Sequence, residues 1–146
     1  MPRPFRFSLQ RVLEYRLQLE ERAKIALATA KRNYEAQVAI VEGLRQDIAP
    51  HETSLYKEEP TAANMWLWRA YGERLQEDRK RAEARMLALA RDLNQARREA
   101  VTKARERKLL ERLKSNQALR HDQEQQLMEQ KEFDEMATLR HQVGGA

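Results

Sequence analysis

The side chains able to do acid–base or metal chemistry are three histidines and several adjacent carboxylates. No two of His51, His121 and His141 have the H-x-x-x-H or H-E-x-x-H spacing that places two imidazoles around a metal ion. Acidic pairs such as Glu58–Glu59 and Asp134–Glu135 are common on helix surfaces. A chain without a concave core offers no place to desolvate a carboxylate for catalysis. We therefore expect no enzyme activity, no metal site and no cofactor.

The sequence contains clearer candidates for binding a partner than for catalysis. The first is an aromatic cluster that contains both tryptophans. Its members are Trp66, Leu67, Trp68, Tyr71 and Leu75. On a helix, Trp66 and Trp68 point about 200° apart, so both cannot enter one narrow helical seam. An exposed aromatic side chain marks a binding surface. The alternative is packing against Leu55–Tyr56, and the sequence leaves both interpretations open.

Two further clusters lie towards the ends of the chain. The N-terminal cluster is interpreted as an apolar cap on the open end of a helical hairpin. Its members are Phe5, Phe7, Leu9, Val12 and Leu13. A basic cluster, KARERKLLERLK, runs from Lys103 to Lys114 and contains three leucines. Alone, this run is weak evidence for RNA or membrane binding, because a solvated helix face has a similar composition.

The composition indicates long helices. Of the 146 residues 35% are charged and 6% aromatic, and only four are glycine, which is typical of a coiled coil and disfavours a sheet with many turns. The absence of cysteine excludes a disulfide framework and a thiolate metal site. No segment approaches the roughly 18 consecutive apolar residues of a membrane span. The N-terminus lacks the apolar core of a signal peptide, so we expect a cytoplasmic protein.

Periodicity and breakers predict two helices. A first helix is predicted over 7–49, with Ser8 as N-cap and a kinked extension to 56, and Pro50 interrupts it within a turn at 50–61. A second helix is predicted over 62–142. The first seam is predicted to contain a 4-4 step, a stutter that locally unwinds a coiled coil. Its predicted members are Leu9, Val12, Arg16, Leu19, Ala23, Ala26, Ala30, Tyr34, Gln37, Val41, Leu44 and Ile48.

The second helix carries heptad spacing, and a short connection makes the two helices antiparallel neighbours. Its predicted seam consists of Trp68, Tyr71, Leu75, Arg79, Ala82, Met86, Leu89, Leu93, Ala96, Ala100, Lys103, Arg107 and Leu110. With a turn centred near residue 56, residue i faces a residue near 112 − i. Beyond about residue 110 the second helix then projects alone for roughly 40–50 Å. The predicted fold is a monomeric, all-α antiparallel two-helix coiled coil over 1–146 with an overhanging C-terminal helix.

The overhang is polar all round. The run Gln117–Glu135 has no Gly or Pro, and its few apolar residues form no regular stripe. Such a helix is bridging, rich in ion pairs, or unstable alone, which suggests a segment that sits inside a partner. Net charge alternates along the chain: +5 over residues 1–32, −5 over 33–78, +8 over 79–114 and −3 over 115–146.

Several segments in order resemble one family. The opening FRFSLQRVLEYR, the segment WLWRAY, the run KLLERLK and the ending MEQKEFDEMATLR are similar to the corresponding parts of FliJ proteins of the flagellar type III export apparatus. The resemblance covers nearly the whole chain. It implies a stalk-like coiled coil whose end with both termini inserts into the ring of the hexameric export ATPase and promotes its assembly and activity.

The resemblance also implies the partners, and the position of each cluster along the hairpin indicates the residues that would meet them. Besides the ATPase ring, the family contacts the large membrane protein of the export gate and export chaperones, which implies a peripheral position at the cytoplasmic face of the membrane. Contacts with the ring are expected from Arg107, Lys108, Arg112, Lys114, Gln130, Lys131, Asp134 and Glu135. Contacts with the gate are expected from Trp68, Tyr71 and Leu75.

Three alternatives remain at this point. An injectisome counterpart has the same architecture. A basic helical hairpin that binds nucleic acid is disfavoured by the acidic C-terminal end and by the lack of aromatics among the basic residues. A structural coiled coil that homodimerises is distinguished by sedimentation, because the hairpin is expected to be a monomer.

Overall fold

The computed structural model describes residues 3–54 and 61–144 and folds as two helices. Helix α1 spans Gln10–Ser54 and helix α2 spans Ala62–Gly144. The two helices pack against each other and the described residues contain no strand, so the predicted all-α helical hairpin is confirmed. Neither helix holds a stretch both long and apolar enough to span a membrane, over the residues that the structure describes.

The helix starts are set by local hydrogen bonds. The Gln10 amide donates to the Phe7 carbonyl at 3.1 Å, so the chain turns before α1 begins, three residues later than predicted. At α2, the Thr61 hydroxyl accepts the amide of Asn64 at 3.2 Å and the Thr61 carbonyl accepts that of Met65. Thr61 thus caps the helix by satisfying a first-turn N–H that has no partner within the helix.

Helix α1 does not end at Pro50. It continues to Ser54, so residues 50–54 of the predicted turn are helical, and residues 55–60 of that turn lie outside the described part of the chain. A proline in a helix removes one N–H and crowds the carbonyl four residues earlier. The Pro50 carbonyl in turn accepts the Thr53 hydroxyl at 3.0 Å, which gives a partner to a carbonyl near the helix end.

The chain divides into two units. The first comprises Met1–Glu20 and Thr102–Ala146, and the second comprises Glu21–Val101. In the second unit, the least exposed residues of α1 recur at alternating intervals of four and three, so the predicted stutter is wrong and Ala26 is exposed. These residues are Ala23, Leu27, Ala30, Tyr34, Gln37, Val41, Leu44 and Ile48.

The facing positions of α2 in the second unit have the same spacing. They are Leu75, Arg79, Ala82, Met86, Leu89, Leu93, Ala96 and Ala100. One polar contact fixes the register: the Gln37 side-chain amide, which is 7% exposed, donates to the Ala82 carbonyl at 3.0 Å. A buried amide that found no acceptor would be costly, so this bond disfavours any slip of one helix along the other.

In the first unit, Leu13, Arg16 and Glu20 of α1 pack on α2. The partners on α2 recur at the same 4-3 spacing and are Lys103, Arg107, Leu110, Lys114, Gln117 and His121. Lys114 Nζ donates to Gln10 Oε1 at 2.8 Å, whereas the predicted register placed residue 102 opposite residue 10. The register prediction is wrong because α1 extends past Pro50, which moves the reversal of the chain towards the C-terminus.

Candidate partner-binding surfaces

Two of the basic residues expected at the ATPase ring belong to the helix pair of the first unit. Arg107 donates from Nε and Nη2 to the carboxylate of Glu20, and from Nη1 to Glu111 at 2.7 Å. The Glu20 side chain is 5% exposed, so this ion pair is largely removed from solvent. The hydrogen bonds to Glu20 and then Glu111 raise the pKa of Arg107 further above its usual value. Arg107 and Lys114 therefore join the two helices of this unit.

A second ion pair lies nearby. Arg16 Nη1 lies 2.6 Å from Glu106 Oε2, and Lys103 Nζ lies 3.8 Å from the same oxygen. By contrast, Arg105, Lys108 and Arg112 are exposed and form no ion pair within the described residues. They are three and four residues apart, so they share one face of α2. We call these three residues the basic face, and they are the exposed basic residues of the KARERKLLERLK run that form no ion pair within the described chain.

The N-terminal segment before α1 covers α2 further than the sequence predicted. The Arg3 carbonyl lies 2.8 Å from His121 Nε2, and the Phe5 and His121 rings are 5.7 Å apart. Phe7 and Leu13 are buried, in keeping with the predicted apolar cap, whereas Leu9 and Val12, which were predicted for the cap and for the α1 seam, are exposed. Gln117, His121 and Gln125 are half-buried, so the predicted overhang does not begin near residue 110 or at Gln117. We call residues 126–144, all of which are exposed, the tail.

The tail contains four of the residues expected at the ATPase ring, Gln130, Lys131, Asp134 and Glu135, and all four are exposed. It also carries a feature that the sequence reasoning missed. Met128, Met136, Leu139 and Val143 lie at multiples of three and four residues and are 57–80% exposed. The signal was present in the sequence, but the stretch considered there ended at Glu135, before three of these four residues. We call these four residues the tail stripe.

In the aromatic cluster of the second unit, some side chains pack between the helices and others are exposed. Trp68 Nε1 donates to the His51 carbonyl at 2.9 Å, and the His51 ring stacks on Trp68 with 4.7 Å between centroids. Leu75 is 7% exposed and belongs to the core of this unit. Trp68 and Leu75, two of the three residues expected at the export gate, are thus committed largely to the helix pair.

The third expected gate residue, Tyr71, is 53% exposed and meets the His51 ring edge-on at 5.0 Å. Gly72 replaces it at the seam, because a Cβ on Gly72 would lie 2.7 Å from His51 Nε2. Trp66 and Leu67 are 69% and 59% exposed. Leu67 and Tyr71 share a face at i, i+4, so the exposed aromatic surface of this unit consists of Trp66, Leu67 and Tyr71.

A family model described as Flagellar FliJ protein matches residues 5–146. The chain belongs to the FliJ family. Neither the curated proteins nor the solved structures contain a match to it. Membership of the FliJ family makes the chain a protein of flagellar export, and that family is a non-enzymatic component of the export apparatus. The flagellar assignment agrees with the predicted family.

Proposed function

We propose that this FliJ-family protein binds the ring of the flagellar export ATPase through its tail and promotes ring assembly and activity. The observation that carries the proposal is the exposure of every residue from 126 to 144, at the end of a helix whose preceding part is covered. A polar helix without intramolecular packing depends on a partner for its stability. The family supplies the class of partner, which is the export apparatus.

The burial of each side chain changes which residues we propose to contact the ATPase ring. Arg107 and Lys114 are used between the helices, which leaves Lys108 and Arg112 of the basic face for the ring. In the tail, Gln130, Lys131, Asp134 and Glu135 all remain exposed. Charged side chains on such a surface mainly increase the association rate and fix the orientation of the partners.

The experiment is a deletion of residues 126–146, assayed for stimulation of the cognate purified export ATPase. This cut keeps His121 and its contact with Arg3, which a deletion before Gln117 would destroy. We expect the melting temperature of the shortened protein to stay within a few degrees of the intact one, while stimulation is lost. Full stimulation by a folded shortened protein would refute the proposal.

The second contact that we propose is with the large membrane protein of the export gate, through Trp66, Leu67 and Tyr71. Of the residues expected there, Trp68 and Leu75 pack in the helix pair, and Tyr71 remains exposed. Exposed aromatic residues are enriched among those that dominate binding energies. This contact would hold the protein at the cytoplasmic face of the membrane.

The gate contact is tested with Leu67→Ala/Tyr71→Ala. The matched control is Ile25→Ala/Ile40→Ala, which removes two apolar side chains that are 58% and 53% exposed in the same unit. We expect the first variant alone to weaken binding to the purified cytoplasmic part of the gate protein, with ATPase stimulation retained. Equal weakening by both variants, or a loss of thermal stability without a binding defect, would show that the surface serves only packing.

Export chaperones are the third class of partner that we propose on the basis of the family. No surface of the described chain singles them out by its chemistry. Affinity capture of the tagged full-length protein from the native cell, followed by mass spectrometry, should recover the export ATPase together with such chaperones. Recovery of the ATPase without any chaperone would remove this part of the proposal.

A further inference from the structure

The tail stripe continues the face by which α2 meets the N-terminal segment. His121 and Gln125, the last half-buried residues of α2, are followed at intervals of three or four by Met128, Glu132, Met136, Leu139 and Val143. Four of these five residues are apolar. At 100° per residue, the four apolar side chains fall within an arc of about 80°. The face that is covered up to residue 125 therefore goes on, apolar and exposed, for a further 18 residues.

The spacing of this face differs from that of the helix pair before it. His121, Glu132 and Val143 are eleven residues apart, as are Gln125 and Met136, and Met128 and Leu139. An eleven-residue repeat has about 3.67 residues per turn, close to that of a straight helix, whereas the heptads in the rest of the chain favour a left-handed supercoil. The tail stripe thus suits a partner surface along which a straight helix lies, and it differs in geometry from the seam that α1 fills.

Charge limits the chemistry of that partner. Over residues 126–144 the tail has four acidic residues against Lys131 and Arg140, a net charge of −2, and all four carboxylates precede Met136. Glu129, Glu132 and Glu135 lie beside or within the stripe and are exposed. An anionic membrane or a nucleic acid would be repelled, and a second copy of the tail would bring carboxylates against carboxylates. A protein surface with an apolar floor and basic side chains at its rim is complementary to the tail.

We propose that the tail stripe docks into an apolar groove with a basic rim on the export ATPase ring, with Met128, Met136, Leu139 and Val143 turned into the groove. This inference rests on the proposed function and specifies the face of the tail and the chemistry of its receptor. It shifts the binding energy from the polar tail residues to four apolar ones, because desolvated apolar side chains contribute more to affinity than exposed charges do.

The test compares two full-length variants that add the same charge to different faces. Leu139→Glu/Val143→Glu places two carboxylates in the stripe, and Gln126→Glu/Ala137→Glu places two carboxylates on the far side of the same helix. Glutamate is a good helix former, so both variants should keep their helical circular dichroism. Binding to the purified ATPase is measured by calorimetry, together with stimulation of ATP hydrolysis.

We expect the stripe variant to bind at least ~30-fold more weakly, since two apolar side chains lose their burial, and the far-side variant to stay within ~3-fold of the wild type. Raising the salt concentration should weaken wild-type binding, as attraction between the acidic tail and a basic rim is screened. Equal weakening by both variants would overturn the one-sided groove, and affinity that does not change with salt would overturn the basic rim.

Other occupants give distinct results. A dimer of the wild type in sedimentation that the stripe variant abolishes, or binding of the tail to vesicles of anionic lipid, would overturn the proposal in favour of those partners. If deletion of 126–146 leaves stimulation intact, the proposed function itself fails. If the deletion abolishes stimulation but the stripe variant binds normally, only the groove is refuted.

Discussion

Residues 102–125 and 126–144 are neighbouring stretches of α2 in one unit, similar in helix-forming composition and different in what covers them. The first stretch packs on α1 and on the N-terminal segment through ion pairs and hydrogen bonds, among them Arg107–Glu20 and His121–Arg3. Residues 126–144 are all exposed, and no ion pair joins them to any other residue that the structure describes. Helix formation therefore follows the local composition, whereas burial follows the reach of the first helix and the segment before it.

The comparison also shows that polarity alone does not predict exposure in this fold. The covered stretch has charged residues at seam positions, Lys103, Arg107 and Lys114, and each finds a partner there. The tail has apolar residues on the corresponding face and they remain exposed. A two-helix seam is narrow enough for long basic side chains to reach its edge, so it accepts them when a carboxylate or amide lies within reach, on the facing helix or on the same one.

The largest effect that we expect is a difference in the free energy of unfolding between alanine variants of two leucines, one in the covered part of the first unit and one in the tail. Leu13, which is 4% exposed, packs in the helix pair of the first unit, and Leu139 of the tail is 60% exposed. Leu13→Ala should lower the free energy of unfolding by about 2–3 kcal/mol, because it leaves a cavity, and Leu139→Ala should change it by less than about 0.5 kcal/mol. Urea unfolding followed by circular dichroism measures both, and equal losses would mean that the tail is packed in solution.

A smaller effect should separate two arginines that are two residues apart. Arg107→Ala removes the main cation beside the buried carboxylate of Glu20, whereas Arg105→Ala removes an exposed side chain of the basic face. We expect a clear drop in melting temperature for Arg107→Ala and almost none for Arg105→Ala. The double variant Glu20→Leu/Arg107→Leu should recover most of the loss, because an apolar pair replaces the ion pair.

The pH dependence of that difference follows from the raised pKa of Arg107. A group whose pKa is raised by folding contributes its full stability below the pKa of the unfolded chain and loses it only as the pH passes the folded value. For an arginine both values lie far above neutrality. The difference in melting temperature between Arg107→Ala and Arg105→Ala should thus stay constant from about pH 6 to pH 9. Scanning calorimetry at several pH values measures it. A gap that closes within this range would mean that another group titrates at the site.

The sequence was sufficient for the two helices and for most of the α2 seam. The seam from Leu75 to Leu110 follows one heptad register, which is apolar except at Arg79, Lys103 and Arg107. Tyr71 was the exception, since a glycine one position later offers the closer approach to α1 that the His51 ring requires. An analysis of apolar periodicity assigns a tyrosine to a seam in preference to a glycine, so it cannot identify Gly72 as the seam position.

The register of the two helices could not be predicted, because it depends on where the chain reverses. The sequence predicts that Pro50 either ends the first helix or kinks it on towards residue 56, and the helix continues through Pro50 to Ser54. Each residue by which the reversal moves shifts the pairing by two, which changes the residues left uncovered. The predicted overhang was consequently too long, and the predicted register did not show that Arg107 and Lys114 lie where they join the two helices.

The smallest effect that we expect comes from two glycines inside helices of the second unit. One lies on an open helix surface and the other on a covered one. A Cβ on Gly43 of α1 meets nothing within 4 Å, and one on Gly72 of α2 would lie 2.7 Å from His51 Nε2. Neither glycine has a positive φ, so alanine suits both backbones. Gly43→Ala should stabilise the protein by about 1 kcal/mol through helix propensity, whereas Gly72→Ala should lose that gain or reverse it, because the His51 ring is stacked on Trp68.

The cause of this difference is isolated by combining Gly72→Ala with His51→Ala. In the double variant the alanine Cβ has no ring to displace, so adding Gly72→Ala to His51→Ala should recover the stabilisation of about 1 kcal/mol seen at Gly43. Chemical unfolding of the four proteins in the cycle gives the coupling energy, and tryptophan fluorescence reports the surroundings of Trp68. A coupling near zero would mean that the ring swings aside at no cost, so that the contact between the end of α1 and the start of α2 is looser than the 4.7 Å stack of His51 on Trp68 indicates.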